Sequence, residues 1–253
     1  MKKLYALLAL LLLVAIAALA YAMTADELIA KNVEAKGGLE KIKAIQSMKA
    51  TGKYMMMGME LPMTIYNKRP NLFRMEISAQ GMTVVQAYDG KTAWTINPLM
   101  GSSDPEKIPG IQGQLTAEHA DIDGMLMNYK DKGYSVKLLG EEDMEGTKVY
   151  HLQLAINDSL TIDDYIDAEY FLELKMGVTM DVEGNPMTVD TYLGDYKAVD
   201  GVLMPFTMET KLGDQVRGEM VIDTIMANIE IPDSLFEMPV VKKKDTETKP
   251  EEE

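Results

Sequence analysis

Most of this chain alternates apolar and polar residues with a period of two, and that pattern confines it to β-sheet with one buried face. Phe73, Met75, Ile77 and Ala79 alternate with Arg74, Glu76 and Ser78, and Tyr150, Leu152, Leu154 and Ile156 alternate with His151 and Gln153. The longest run sets Tyr170, Leu172, Leu174, Met176, Val178, Met180 and Val182 against Glu173, Lys175, Thr179 and Asp181. Shorter runs hold Trp94 and Ile96, then Val202, Met204, Phe206 and Met208, then Val216, Met220 and Ile222. Successive side chains on a strand point to opposite sides, so each run is a strand with one apolar and one wet face. Asp89-Gly90, Glu145-Gly146, Asp200-Gly201 and Gly213-Asp214 punctuate them, and Asp-Gly between alternating runs marks a tight hairpin. Roughly ten or eleven strands joined this way predict an antiparallel meander. No repeat of fixed period is visible.

Few segments break the period. Thr24-Ala25-Asp26-Glu27 is a capping box, Leu28, Ile29 and Val33 give a helical stripe, and Gly37-Gly38 stops it, so the mature chain opens with a helix. A short second turn covers Leu39 to Ile45. After a loop from Pro98 to Pro109, the residues Leu115, Ile122, Met125, Leu126 and Tyr129 share one helical face, which predicts one amphipathic helix, weakened by Gly124, inserted between strand sets. A sheet of this size with so few helices to cover it curves into a half-open, incomplete β-barrel that encloses a cavity.

Composition removes several functions. With 25 Lys and Arg against 40 Asp and Glu, the chain is repelled by phosphate backbones, so no nucleic acid is expected as a partner. The absence of Cys rules out thiolate nucleophiles, disulfides and Cys-ligated metals. Two His cannot form a three-His site. His151 falls on the wet side of its strand, and His119 sits beside Glu118 on the inserted helix. Asp121-Ile122-Asp123-Gly124 resembles the start of a calcium loop but lacks its later ligands. No nucleophile elbow, zinc-protease motif or phosphate loop is present. Neither catalytic residues nor a metal nor a cofactor is expected.

Methionine is the anomaly: 22 residues against four Phe and one Trp. Tyr54 to Met63 is a Met-rich hairpin with Gly58 at its turn, placing Tyr54, Met56, Leu61, Met63 and Ile65 on one face. These thioethers fill core where Phe is scarce, or line an adaptable apolar cavity; soft sulfur also suits Cu(I), but no Cys or nearby His supports that reading.

The ends carry an address and a tail. Met1 to Ala22 has Lys2-Lys3, an unbroken apolar run and Ala20-Tyr21-Ala22, the plan of a signal peptide cleaved after Ala22. Retention as an anchor is the alternative, since the run is about long enough to span a bilayer. Residues 242–253 are a charged, disordered tail, leaving 23–241 as a single domain.

Several motifs in order resemble the outer-membrane lipoprotein-sorting proteins, the LolA-like carriers. They are Thr24-Ala-Asp-Glu-Leu-Ile with Lys36-Gly-Gly-Leu-Glu-Lys-Ile, Lys68-Arg-Pro-Asn, Ala87-Tyr-Asp-Gly-Lys-Thr-Ala-Trp94, Tyr165 to Lys175, Asp195 to Gly201 with Met204-Pro-Phe206, and Pro232-Asp-Ser-Leu-Phe236. The resemblance implies a LolA/LolB-like half-open antiparallel barrel closed by helices, holding lipid acyl chains in its concave face. It also implies lipoprotein cargo, an inner-membrane lipoprotein-releasing transporter and an outer-membrane receptor as partners, and a periplasmic location. Without a Cys at the junction, the chain cannot itself be the lipoprotein receptor. The expected cavity lining is Tyr54, Met56, Leu61, Met63, Phe73, Met75, Trp94, Ile96, Leu172 and Leu174. The expected lid is Leu115, Ile122, Met125 and Leu126. The rival readings are an envelope sensor or interaction module with a protein partner, and an enzyme acting on lipid or glycan.

Overall fold

A computed structural model describes residues 23–240 apart from residue 183; the expected signal peptide, 1–22, and the expected tail, 242–253, lie outside the described residues. Thr24 caps α1 (Ala25–Ala35): the Glu27 N–H donates to the Thr24 Oγ1, and Glu27 accepts from the Thr24 N–H at 2.8 Å. The helix ends on Gly37 at φ +122°, where a side chain would strike the Gly201 carbonyl. The double glycine therefore exists to let the helix end touch a distant hairpin turn, which the Leu203 N–H seals by donating to the Lys36 carbonyl. The second helix, α2, covers Leu39–Ala44.

Six strands follow: β1 (Ser47–Met56), β2 (Met59–Lys68), β3 (Leu72–Ala79), β4 (Met82–Tyr88), β5 (Ala93–Asn97) and β6 (Ser102–Lys107). After α3 (Gly110–Glu118) come β7 (Ser135–Met144), β8 (Thr147–Asn157), β9 (Leu160–Asp167), β10 (Glu173–Val182) and β11 (Asn185–Gly194). A small hairpin, β12 (Lys197–Val199) and β13 (Val202–Met204), precedes β14 (Thr207–Leu212) and β15 (Gln215–Ala227). Thirteen strands form one antiparallel sheet in the order β6-β5-β4-β3-β2-β1-β15-β14-β11-β10-β9-β8-β7. The sheet does not close into a barrel. Two meanders meet where the first strand pairs with the last.

The Met-rich hairpin turns at Met57-Gly58, both with φ > 0, the twist that a two-residue hairpin needs. Its register sets Tyr54 opposite Leu61 and Ala50 opposite Ile65, so the expected face is assembled. From there the inner face runs without a break. Leftwards it carries Met63, Met75, Ile77 and Phe73; rightwards Met220, Met208 and Leu193, then Met176, Ile162, Leu152 and Leu154. Helix α1 buries Leu28 and Ile29 against Leu152 and Ile166, and α2 buries Ile42 and Ile45 against Val202. The β12–β13 hairpin folds Val199 over Met63, Phe206 and Ile222.

The outer face is wet except over β3 to β5. There the chain after β15 crosses back, and Trp94, fully buried, donates its Nε1–H to the Phe236 carbonyl at 2.9 Å. Arg74 donates to the Leu235 carbonyl and lies over the Trp94 ring.

Truncating Leu152 to Ala, in the fully buried inner-face core, is expected to cost about 2–5 kcal/mol. Met57→Ala, at a hairpin tip 90% exposed, is expected to change stability by less than about 0.5 kcal/mol. Urea denaturation of the two variants checks the assignment of inside and outside.

Candidate functional site

The strands β6 and β7 are opposite edges of the sheet, yet they are neighbours in sequence. The chain between them must therefore span the sheet, and it does so over the inner face. Its first part is α3, whose Thr116 hydroxyl accepts from Gln86 on β4. The Asn67 amide, on the inner face of β2, donates to the His119 carbonyl at 2.7 Å. Residues 119–134 then form a strap of turns rather than the expected helix to Tyr129. Gly124, Asn128 and Gly133 take φ of +79°, +57° and +79°, conformations that no right-handed helix contains.

Charged pairs hold this strap. The Arg69 Nε–H donates to the Ile45 carbonyl at 2.7 Å and its Nη2 donates to the Ile42 carbonyl, covering the end of α2, while Nη2 also meets Asp123 Oδ1 at 2.5 Å. Lys43 makes a second pair with Asp123, and Lys132 pairs with Asp121 and donates to the Gly124 carbonyl. Burial pushes the Asp123 carboxyl up, but the hydrogen bonds and charges of Arg69 and Lys43 outweigh it and hold the carboxyl below its ordinary value. Between the pairs, Leu126 packs with Leu28 and Ile166, and Met127 with Ile42 and Val202.

Two adjoining cavities lie between strap and sheet. The larger, of about 280 Å³, is lined by Met48, Ala50, Ile65, Met204, Met208, Ile222, Ile225 and the strap's Ile122. The smaller, of about 200 Å³, is lined by Val33, Met125, Leu126, Met127, Met176 and Leu193, and also by Asn32, Lys36, Asp164 and Glu173. Lys36, Ile42, Asp123, Gly124, Glu173 and Pro205 border both. A wider groove of about 520 Å³ between α1 and residues 126–131 carries Asp26, Glu34, Lys130 and Asp131 on its walls.

The expected lining is partly brought together. Tyr54, Met56, Leu61, Met63, Phe73 and Met75 share the inner face, and Met63 and Phe73 are buried in it. Trp94 and Ile96 do not join them. They pair with Ala87 and Val85, and the register carries all four to the outer face beneath the C-terminal segment. Leu172 precedes the strand, its carbonyl accepting from the Asp167 N–H, and Leu174 falls at a bulge in β10. The bulge, between Glu173 and Lys175, shifts the phase, so Glu173, opposite Ile166, takes the inner position that alternation assigns to a leucine. Of the expected lid, Ile122 and Met125 line the cavities, Leu126 is buried, and Leu115 is half-buried on α3.

Alternation read for its apolar members missed Asp164. It stands in phase with Leu160 and Ile162, so it faces inward and is 4% exposed. An acid on the apolar phase of a strand is the signal that marks such a residue. Burial raises its carboxyl well above the ordinary value, the Glu173 charge adds to this, and the Lys36 charge opposes it. Lys36 Nζ pairs with Glu173 Oε1 at 3.1 Å, and the Tyr196 hydroxyl donates to the Glu173 carbonyl at 2.7 Å. Asn32, 1% exposed, donates to the Phe171 carbonyl, but its Oδ1 has no hydrogen-bond partner among the described residues. His151 lies on the outer face between Glu142 and Asp163, stacked on Tyr165, far from the cavities in the ladder's logic. No group of three or more metal-ligating side chains occurs among the described residues.

No protein-family model matches this sequence, and no curated protein matches it either. Solved structures do. A DUF1329 family protein from Desulfovibrio piger superposes with a TM-score of 0.57 at 13% identity, covering 85% of this chain and 98% of that one. A LolA superfamily protein from Nitrosomonas europaea gives 0.55 at 15% identity over 85% and 98% of the two chains. An outer-membrane lipoprotein-sorting protein domain from Vibrio parahaemolyticus gives 0.52 at 13% identity over 78% and 93%. The fold is LolA-like: mainly β, with one large open antiparallel sheet and a few helices over it. Identities this low establish the fold alone.

Two carboxyls in the site should titrate in opposite senses. Asp164 has a raised pKa in the folded state, so its contribution is fully present below the unfolded value and is lost as pH rises towards the folded one. Asp164→Asn should therefore stabilise the protein more at pH 7 than at pH 4 in thermal melts. Asp123 has a lowered pKa, so its clamp is present above the unfolded value, about pH 4, and is lost as pH falls through the folded one. Asp123→Asn should raise amide exchange in residues 119–134 by about tenfold at pH 7 and leave β8 and β9 unchanged. Uniform exchange across the chain would show that the pair holds the fold rather than the strap.

Proposed function

We propose that this protein is an exported, non-catalytic carrier that shelters acyl chains of a lipid or lipoprotein beneath the strap. In this reading residues 1–22 are removed after Ala22 and the mature chain works in the periplasm, in the sorting of lipoproteins to the outer membrane. Its partners are then an inner-membrane lipoprotein-releasing transporter and an outer-membrane receptor.

The observation that carries the reading is an apolar sheet face bridged, not filled. Helices and the β12–β13 hairpin cover the ends and middle of that face, yet cavities of about 280 and 200 Å³ remain. The wall of the larger is rich in Met and Ile, and Met125, Met127 and Met176 line the smaller; unbranched thioether chains adapt to ligands of varied shape. Each cavity is smaller than the roughly 300–1,000 Å³ usual for a small-molecule site, so an acyl chain occupies both and lifts the strap between them. Burying about a dozen methylenes at ~0.8 kcal/mol each offers nanomolar-scale affinity before ordering costs. The fold shared with a lipoprotein-sorting domain supports the same reading.

Mass spectrometry of the exported protein, native and then denatured, tests it. About one acylated peptide or phospholipid per chain supports the carrier. An empty protein that also refuses a fluorescent fatty acid overturns it and favours the sensor with a protein partner. Met208→Glu, which puts a charge on the wall of the larger cavity, is expected to weaken fatty-acid binding at least about tenfold with an unchanged circular dichroism spectrum. Met125→Glu on the strap should act in the same direction.

A further inference from the structure

The two cavities differ at one end. Lys36, Asp123 and Glu173 border both, and the larger also meets Asn67 and Tyr196, but only the smaller meets Asn32 and Asp164. A carrier for plain hydrocarbon has no use for them. Asp164 occupies a position that the alternation of β9 reserves for an apolar side chain, and its near-complete burial on a wall shared with Met176, Leu193 and Val33 costs folding free energy that a leucine would not, and more than a neutral asparagine would. Asn32 is buried with its Oδ1 unpartnered among the described residues, and an orphaned acceptor on a cavity wall carries a further cost. Both penalties sit on the same cavity.

The charges there select the sign of a ligand. Lys36 is engaged with Glu173 at 3.1 Å, and Asp123 at the border is held by Arg69 and Lys43. Tyr196 spends its hydrogen on the Glu173 carbonyl, and Asp163, next in the chain, faces outward to His151. Asp164 is thus the acid on this wall with no cation of its own among the described residues. A carboxylate or phosphate entering would meet acids and no free base. A group that donates hydrogen bonds and carries positive charge would meet Asp164 and the Asn32 Oδ1.

We propose that the smaller cavity is a head-group subsite, in which Asp164 and Asn32 receive the primary amine or ammonium of an amphiphile whose chain lies in the larger cavity. This rests on the carrier reading and names the class of cargo that the site prefers. The acyl chain supplies affinity and the amine supplies selection.

Calorimetric titration of the protein at pH 7 with dodecylamine, dodecanol and dodecanoate, all below their aggregation concentrations, tests it. The amine is expected to bind at least about tenfold tighter than the alcohol, and the carboxylate most weakly. In Asp164→Asn, which keeps the shape and loses the acid, the amine's advantage should fall below about threefold while dodecanol binding is unchanged. Asn32→Asp, which gives the same wall a second acid without a paired cation, is expected to widen the amine's advantage over the alcohol. Equal affinity for the three ligands, or an amine preference that survives Asp164→Asn, overturns the subsite and leaves the carrier standing. Binding of none of the three overturns the carrier and the subsite together.

Discussion

A sheet with its edge strands adjacent in sequence forces one connection to span it. Because β6 and β7 lie at opposite ends of the thirteen-stranded order, residues 108–134 have no route but across the inner face or around the outside. The apolar residues of the strap settle which. Ile122, Leu126 and Met127 would be stranded in water on the outer side, whereas on the inner side they cover Met48, Leu152 and Val202. Everything else about the site follows: a strap cannot fill a face as a packed helix would, so cavities remain beside it.

What pins the strap is polar. Arg69 reaches from the end of β2 to the last carbonyls of α2 and to Asp123 at once, and Lys43 reaches the same carboxylate from α2 itself. Partly buried ion pairs of this kind contribute little net stability, because desolvation offsets attraction, yet removing one member is costly. They fix position more than they hold the fold together. Water can replace such contacts when the strap lifts, so the remaining cost of opening is the exposure of Leu126 and Met127. The Lys68-Arg69-Pro70-Asn71 turn, one of the motifs behind the family resemblance, is thus the post to which the strap is tied.

How much of this could be read from sequence depended on whether the signal was local. The capping box at Thr24, the Met57-Gly58 turn and the inner face of β1 and β2 are set by neighbours a few residues apart, and they are as the alternation implies. The strap failed because Leu115 to Tyr129 has a helical stripe while three residues within and just after it take left-handed conformations. Strand β6, Ser102–Lys107, reads as a loop because an edge strand needs no apolar face. Trp94 was assigned to the cavity since it alternates correctly. Only pairing with Ala87, and the distant Phe236, decides which side of the sheet is its inside. Leu174 departs from the alternation at one bulged residue, which reverses the phase before it, and Leu172 lies ahead of the strand.

Asp164 and Asp123 show where local consistency was given up. Asp123 is an acid with two bases, and its burial is offset by them. Asp164 has no cation of its own among the described residues, and its neighbours on the inner phase of β9 are Leu160, Ile162 and Ile166. Sequences tend to be consistent from propensity to packing, and departures concentrate where a function needs them. Replacement of Asp164 by an apolar residue would improve the core by every rule that governs the other inward positions of β9. Since the residue lies on a cavity wall rather than in the packed layer, the destabilisation it brings is confined to the place where a bound head group could remove it.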